Sequence, residues 1–234
     1  MDNVLCLIPA RSGSRGLKNK NIKLFNGVPL ILYPYKIAKN SKLIKDIAIS
    51  TDSKKYLNYF KDKKIFKILR PKKISQSNSK IYDVIIHALS KLKKKYKYLV
   101  LLEPTSPLTS SKEVDKAIKI LKSKTKNINS VVSVVSSHKF LSIFRLNLNK
   151  DLTVKNSVKI KDLNRQKFEK NEYFLSGNFY MTKIEYYKKK KSFIDKGSYC
   201  FPIKESMHTD IDDLKDFVSA EIILKKQLYK FKKN

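Results

Sequence analysis

Four short stretches carry most of the side chains able to do chemistry. The first, Ile8-Pro9-Ala10-Arg11-Ser12-Gly13-Ser14-Arg15-Gly16-Leu17-Lys18-Asn19-Lys20-Asn21, sets Arg11, Arg15 and Lys20 among small residues. Small residues let a backbone approach a ligand closely, and three clustered cations suit a triphosphate. The spacing is neither G-x-x-x-x-G-K-[ST] nor G-x-G-x-x-G, so this is not a Walker loop or a dinucleotide fingerprint; a plain structural turn is the alternative. The second stretch, Ser50-Thr51-Asp52-Ser53, offers hydroxyls and one carboxylate, which also fits an ordinary helix N-cap. The third, Glu103-Pro104-Thr105-Ser106-Pro107-Leu108, is a polar loop stiffened by two prolines, suited to holding a ligand or merely to stopping a strand. In the fourth, His208-Thr209-Asp210-Ile211-Asp212-Asp213, carboxylates two apart on extended backbone point the same way. Asp210 and Asp212 can then hold a hard cation such as Mg²⁺ together with phosphate oxygens. The competing reading is that these acids cap the final helix through its dipole.

These stretches need a scaffold that brings them together. Short β-branched runs alternate with longer segments of helical period, the pattern of βαβ units and a parallel sheet. Strands are expected at Val4 to Ile8, Asp46 to Ser50, Ile65 to Leu69, Tyr98 to Leu102 and Ser130 to Val135. Helices are expected at Leu30 to Lys39, Lys54 to Phe60, Ile81 to Lys94 and Lys112 to Lys122. Residues 137–175 lose this rhythm and read as an excursion from the sheet, used in dimerisation. The sheet resumes near Phe174 to Met181, and an amphipathic helix covers Leu214 to Leu228. In an open α/β sheet ligands bind beyond the carboxyl ends of the strands, where all four stretches fall. The expectation is one α/β domain over residues 1–234, with no internal repeat or low-complexity linker.

Composition narrows the function classes. The 234 residues carry a formal net charge of +32, which invites a nucleic-acid reading because clustered cations release counterions from phosphates. The lysines are instead spread over the whole chain, alongside abundant Ile and Asn, as in the composition drift of an AT-rich genome; no specific nucleic acid is expected. Only five of the 52 basic residues are arginine, at 11, 15, 70, 145 and 165, so each retained Arg is a candidate for bidentate anion binding. No apolar run approaches the ~20 residues of a membrane span, and the opening MDNVLCLIP is too short and acidic for a signal peptide. A cytoplasmic protein without a membrane partner is expected. Cys6 and Cys200 have no disulfide or metal spacing and are expected in the core, as are His87 and the aromatics Tyr173, Phe174, Phe179 and Tyr180. His138 and His208 lack the spacing of metal ligands.

The stretch LIPARSGSRGLKNKNIKLFNGVPLI closely resembles the signature of CMP-acylneuraminate synthetases, the cytidylyltransferases that activate sialic acid and related sugars. The blocks STDS, ILRP, DVIIHAL, LLEPTSPL, NRQ, GNFY and DIDD follow in that family's order, so the resemblance covers roughly residues 3–225. It implies an α/β, Rossmann-like nucleotidyltransferase fold with a mostly parallel sheet, and a homodimer formed through the small 137–175 excursion. It implies CTP and an acidic nine-carbon sugar as substrates, with Mg²⁺ as cofactor. Arg11, Ser14, Arg15 and Lys20 would hold the triphosphate, and Asn21, Arg70 and Ser79 the cytidine side. Glu103, Thr105, Ser106 and Ser176 would face the sugar, Arg165 would pair with its carboxylate, and Gln166 would lie beside it. Asp210 and Asp212 would ligate the metal, and the anomeric hydroxyl would attack the α-phosphate, with Arg11, Lys20 and Asp212 as catalytic groups.

Departures from the family pattern fall on the sugar side. Sialic-acid enzymes have Gln where this chain has Glu103, Arg at Thr109 and Asn at Ser176, while Ser77 stands where relatives carry Asp. A carboxylate in place of an amide removes two N–H donors, so legionaminic or pseudaminic acid is as compatible as N-acetylneuraminic acid. Kdo as the sugar, GTP as the nucleotide, and a basic nucleic-acid-binding protein are the competing readings.

Overall fold

A computed structural model describes residues 3–123, 127–136 and 172–231, with isolated positions between 147 and 155. Strands β1 (Val4–Pro9), β4 (Asp46–Thr51), β5 (Phe66–Leu69), β6 (Tyr98–Leu101), β7 (Ser130–Val135), β8 (Phe174–Lys183) and β9 (Tyr199–Pro202) form one sheet in the order β5-β4-β1-β6-β8-β7-β9. Every neighbouring pair is parallel except those of β8, which runs against both β6 and β7. The α/β class and the mostly parallel sheet are therefore as expected. The chain leaves β1 toward β4 on one side and returns to β6 on the other, so β1 sits where the strand order reverses and a crevice opens.

Helices α1 (Leu32–Asn40), α2 (Lys54–Leu57), α3 (Ile81–Ser90), α4 (Ser111–Lys122) and α5 (Ile184–Lys190) cover the sheet, and α6 (Leu214–Phe231) packs in a separate cluster. In β1 the alternation is clean: Val4, Cys6 and Ile8 join Ala38, Val114, Ala117 and Ile118 of α1 and α4, whereas Leu5 and Leu7 join Ile85, Ala88, Ile184 and Tyr187 of α3 and α5. A strand buried on both faces reads as the continuous apolar run seen in the sequence. A third, smaller cluster joins Phe25, Leu30, Ile211, Phe217 and Ala220. It is built on the two-stranded ribbon β2 (Leu24–Phe25) and β3 (Val28–Pro29), whose turn residues Asn26 and Gly27 have φ of 45° and 78°. That Asn-Gly pair is the ordinary signal for a tight hairpin turn.

Two helices end earlier than expected. Helix α3 stops at Ser90 rather than Lys94, because Lys91, Lys93, Lys94 and Lys95 would repel along one helix and Tyr96 must turn inward, where its hydroxyl donates to Asp46 at 3.0 Å. Helix α2 stops at Leu57, leaving Phe60 to anchor the following loop in the core. Strand β9 and helix α5 were not anticipated. Cys6 is buried and burial pushes its thiol far up, but Cys200 is exposed, a correction. On β9 Tyr199 and Phe201 turn toward the core, so the alternating Cys200 faces out. Tyr173 is likewise half exposed just ahead of β8, whereas Phe179 is fully buried. No described helix is long and apolar enough to cross a membrane. The excursion 137–175 lies outside the described residues apart from scattered positions and the start of β8.

Candidate active site

The loop after β1, the loop after β6 and the segment before α6 enclose a cleft of about 540 Å³. Arg11, Ser14, Arg15, Lys20 and Asn21 line one side, and Glu103, Thr105, Asp210 and Asp212 the other. A second cavity of about 250 Å³ adjoins it, lined by Arg70, Ser75, Gln76, Ser77 and Ser79. Pro9, Arg11 and Glu103 border both. Residues drawn from four separate stretches of sequence thus meet beyond the carboxyl ends of β1, β5 and β6.

The first loop is held by side chains from neighbouring strands. Asp52, at the end of β4, accepts from the Ser12 backbone N–H at 2.8 Å and from its hydroxyl at 2.7 Å, gripping the loop with both carboxylate oxygens. The adjacent Ser53, not Asp52, caps α2 by accepting from the Tyr56 N–H at 3.3 Å. The sequence marks Ser50–Ser53 as a stretch able to do chemistry, with a helix cap as the alternative, but a carboxylate beside a cap residue carries no local signal that it braces the loop after β1. Asn21 is buried and its amide donates to the Arg11 carbonyl at 2.9 Å, so part of its task is to brace the cation before it.

The paired acids sit on a segment whose alternation is set by packing. Thr209 and Ile211 are buried while Asp210 and Asp212 are exposed to the cleft. Ile211 is held in the cluster under α6, which forces its two neighbours to the opposite side. The segment is pinned by the Ile211 N–H donating to the Thr105 carbonyl at 3.0 Å, and by the Ser106 hydroxyl facing the Thr209 carbonyl at 2.9 Å. Capping of the last helix falls to different acids: the Asp216 N–H donates to Asp213 at 2.9 Å, and Asp216 accepts in return from the Asp213 and Asp212 N–H groups. Asp210 and Asp212 are thereby left to the cleft.

Electrostatics across the cleft are tightly balanced. Lys20 donates to the Ile211 carbonyl and, at 3.0 Å, to the Asp212 carboxylate. Desolvation, then the charge of Asp212, raises the Asp210 carboxyl, while a hydrogen bond from Thr105 partly opposes this. Burial chiefly, then the charge of Asp210, pushes Glu103 up to about 7, with Lys20 acting against the shift. Tyr180, on β8, is pushed up to about 12 by burial and by Glu103. Burial lowers Arg70, whose Nε donates to the Ser75 hydroxyl at 3.0 Å.

Two acids aimed into one cleft, the charge of Asp212 raising the proton affinity of Asp210, are a fitting place for a divalent cation. Mg²⁺ needs only one or two protein carboxylates when phosphate oxygens and waters complete its shell. Among the described residues no group of three or more acidic, His or Cys side chains is placed to hold a metal ion.

Other anticipated positions fall elsewhere. Ser106 and Ser176 are buried and lie outside the residues lining the cleft, as does Thr109, whose hydroxyl donates to the Ser106 carbonyl at 2.8 Å. Ser79 borders the second cavity and accepts from the Gln76 N–H at 2.8 Å. His87 is half-buried on α3, and desolvation followed by Lys91 and Arg70 lowers it. His208 contacts the Ser176 carbonyl at 3.1 Å through Nδ1. Arg165, Gln166 and His138 lie outside the described residues.

Residues 5–233 match the sequence profile of the cytidylyltransferase family. The chain is 30% identical to N-acylneuraminate cytidylyltransferase of Escherichia coli O18:K1:H7 over 96% of its own length and 52% of that protein, so it spans about half of that relative. It is also 30% identical to post-translational flagellin modification protein B of Campylobacter coli, over 97% of each chain. Among solved structures it superposes on CMP:2-keto-3-deoxy-manno-octonic acid synthetase complexed with CTP, with a TM-score of 0.69 at 12% identity, over 96% of this chain and 99% of that one. At that identity the likeness speaks for the fold alone.

Proposed function

The chain belongs to the cytidylyltransferase family, and from that premise we propose that it transfers CMP from CTP to the anomeric hydroxyl of a nonulosonic acid, releasing pyrophosphate. The observation that carries this reading is the facing of Arg11, Arg15 and Lys20 against Asp210 and Asp212 across one cleft at the strand-order reversal. Cations on one wall suit a triphosphate, and paired acids on the other suit its metal. The adjoining cavity, with Arg70, Ser75 and Ser79, would take the base and ribose.

On this reading the protein works by positioning and charge neutralisation rather than by covalent chemistry. Arg11 and Arg15 bind the β- and γ-phosphates, and Lys20 moves from Asp212 onto the phosphates as the nucleotide enters. These cations offset the charge that builds on the departing pyrophosphate. Asp210 and Asp212 would hold Mg²⁺, which when bound neutralises phosphate charge and orients the α-phosphate. Thr105 keeps Asp210 in place, and the buried Ile211 keeps both acids pointing inward. Glu103 lies between the two cavities, where the sugar hydroxyl would approach, and Arg165 with Gln166 would receive the sugar carboxylate. A homodimer belongs to the same proposal, supported by the exposed Tyr173 and Leu175 where the excursion rejoins the sheet.

The test is pyrophosphate release by the purified protein over a grid of four nucleoside triphosphates and a panel of nonulosonic acids and Kdo, with Mg²⁺ or EDTA. Metal-dependent release with CTP and a nonulosonic acid is expected, with the CMP-sugar identified by mass. Release with GTP only would overturn the base assignment, and release with Kdo only the sugar class. Silence over the whole grid would sink the reading.

A further inference from the structure

The first loop contains two glycines three residues apart that face different surroundings. Neither has φ in the left-handed region, so L side chains are conformationally allowed at both. A Cβ on Gly13 would meet nothing within 4 Å. A Cβ on Gly16 would press into the carbonyl oxygen of Asp212 and lie 3.3 Å from its carbonyl carbon. Both opposing atoms are backbone, which cannot swing aside as a side chain would. Gly16 is therefore required by contact between two parts of the protein and not by a special dihedral.

We propose that Gly16 is a positioning residue: by lacking a Cβ it seats the Asp212 backbone directly on the triphosphate loop, setting the separation between the phosphate-binding cations and the metal-binding acids. The contact forms one of a series along the acid-bearing segment. Lys20 donates to the Ile211 carbonyl on the same side, Thr105 accepts from the Ile211 N–H, and Asp216 accepts from the Asp212 N–H at 3.0 Å on the side of α6. Between those fixed points an added methyl at residue 16 has no room, and the segment carrying Asp210 and Asp212 must move away from Arg11 and Arg15. A cation bridging acids and phosphates is sensitive to such a displacement, because its ligands must meet at fixed short distances.

The inference rests on the metal-dependent reading of the cleft, and the test separates the two. Gly13→Ala and Gly16→Ala are made in the full chain and followed by thermal melting, by Mn²⁺ binding through the electron paramagnetic resonance of free Mn²⁺ in the presence of CTP, by CTP titration in EDTA, and by turnover against Mg²⁺ concentration. Gly13→Ala, whose methyl meets open space, should melt with the parent protein and keep its Mn²⁺ dissociation constant. Gly16→Ala should fold and keep its metal-free CTP affinity, while the Mn²⁺ dissociation constant and the Mg²⁺ concentration for half-maximal turnover rise roughly tenfold or more, the range seen when groups supporting metal ligands are lost. A folded Gly16→Ala protein whose metal requirement stays within twofold of the parent overturns the proposal. So does an equal loss of metal-free CTP affinity, which would mark general disruption of the loop. If Gly16→Ala does not fold, Asp216→Ala releases the same segment from its far side, and an unchanged Mn²⁺ affinity there is the overturning result. A parent protein that binds Mn²⁺ but turns over no sugar sinks the functional reading and leaves the Gly16 comparison intact; one that binds no Mn²⁺ with CTP overturns both.

Discussion

Replacing Glu103 with Gln should make the protein more stable, but only above acidic pH. The carboxyl sits at about 7 instead of 4.5, raised mainly by burial and next by Asp210. Between those values the folded protein keeps a proton that the unfolded chain has released, so stability falls as pH rises through the window and stays low above it. With about 1.4 kcal/mol per unit, ionising Glu103 in the fold costs about 3 kcal/mol at most relative to the unfolded chain. Gln has nearly the same shape and never ionises. Glu103→Gln should therefore melt with the parent near pH 4 and above it near pH 8, by roughly 5–10 °C for a chain of this size. Saturating Mg²⁺ and CTP should narrow the gap, because a cation at Asp210 and Asp212 favours the Glu103 carboxylate. Melting curves by circular dichroism across that pH range read the effect directly. Parallel profiles for the two proteins would refute the reasoning and place Glu103 in a wetter or better-compensated setting.

Asp52→Ala removes both acceptors that hold Ser12, and should cost about 2 kcal/mol of stability in urea unfolding with a loss of at least tenfold in kcat/KM; unchanged turnover would show that the loop holds its shape without Asp52. Ile211→Ala empties a buried site between the two acids and should cost about 3 kcal/mol, with a raised Mg²⁺ requirement, while an effect on stability alone would detach Ile211 from the metal site. Thiol titration with a water-soluble disulfide reagent should count one reactive cysteine in the native protein and two after denaturation, since Cys200 is exposed and Cys6 buried with its thiol held protonated; two reactive thiols in the native state would contradict the packing of β1.

The parallel half of the sheet was legible because each of its strands is a short apolar run ending in polar, chemistry-bearing residues. The strand-to-loop junctions then located the cleft, and the two-residue spacing of Asp210 and Asp212 gave their common direction. The Asn26-Gly27 pair carries an equally plain turn signal, but the strands it joins are only two residues long and show no alternation of their own. Strand β9 was hidden because Tyr199–Pro202 is short and half exposed, so its pairing with β7 is decided by tertiary contacts. Asp52 and Gly16 act on residues 40 and 196 positions away in sequence, and no local pattern reports a contact of that separation. Ser106 and Ser176 are expected in the site because they stand in motif blocks, whereas the structure buries both and leaves them out of the cleft lining, and motif membership does not tell a lining side chain from a buried one.

The most direct test of the central claim is to supply CTP, Mg²⁺ and a nonulosonic acid carrying ¹⁸O in its anomeric hydroxyl, and to read the product by mass spectrometry and ³¹P nuclear magnetic resonance. The account predicts a CMP-sugar with the label in the bridge to phosphorus, because the hydroxyl oxygen attacks the α-phosphate and its bond to the sugar is never broken. Unlabelled product, with the ¹⁸O lost elsewhere, or no CMP-sugar from any acid in the panel, would contradict it.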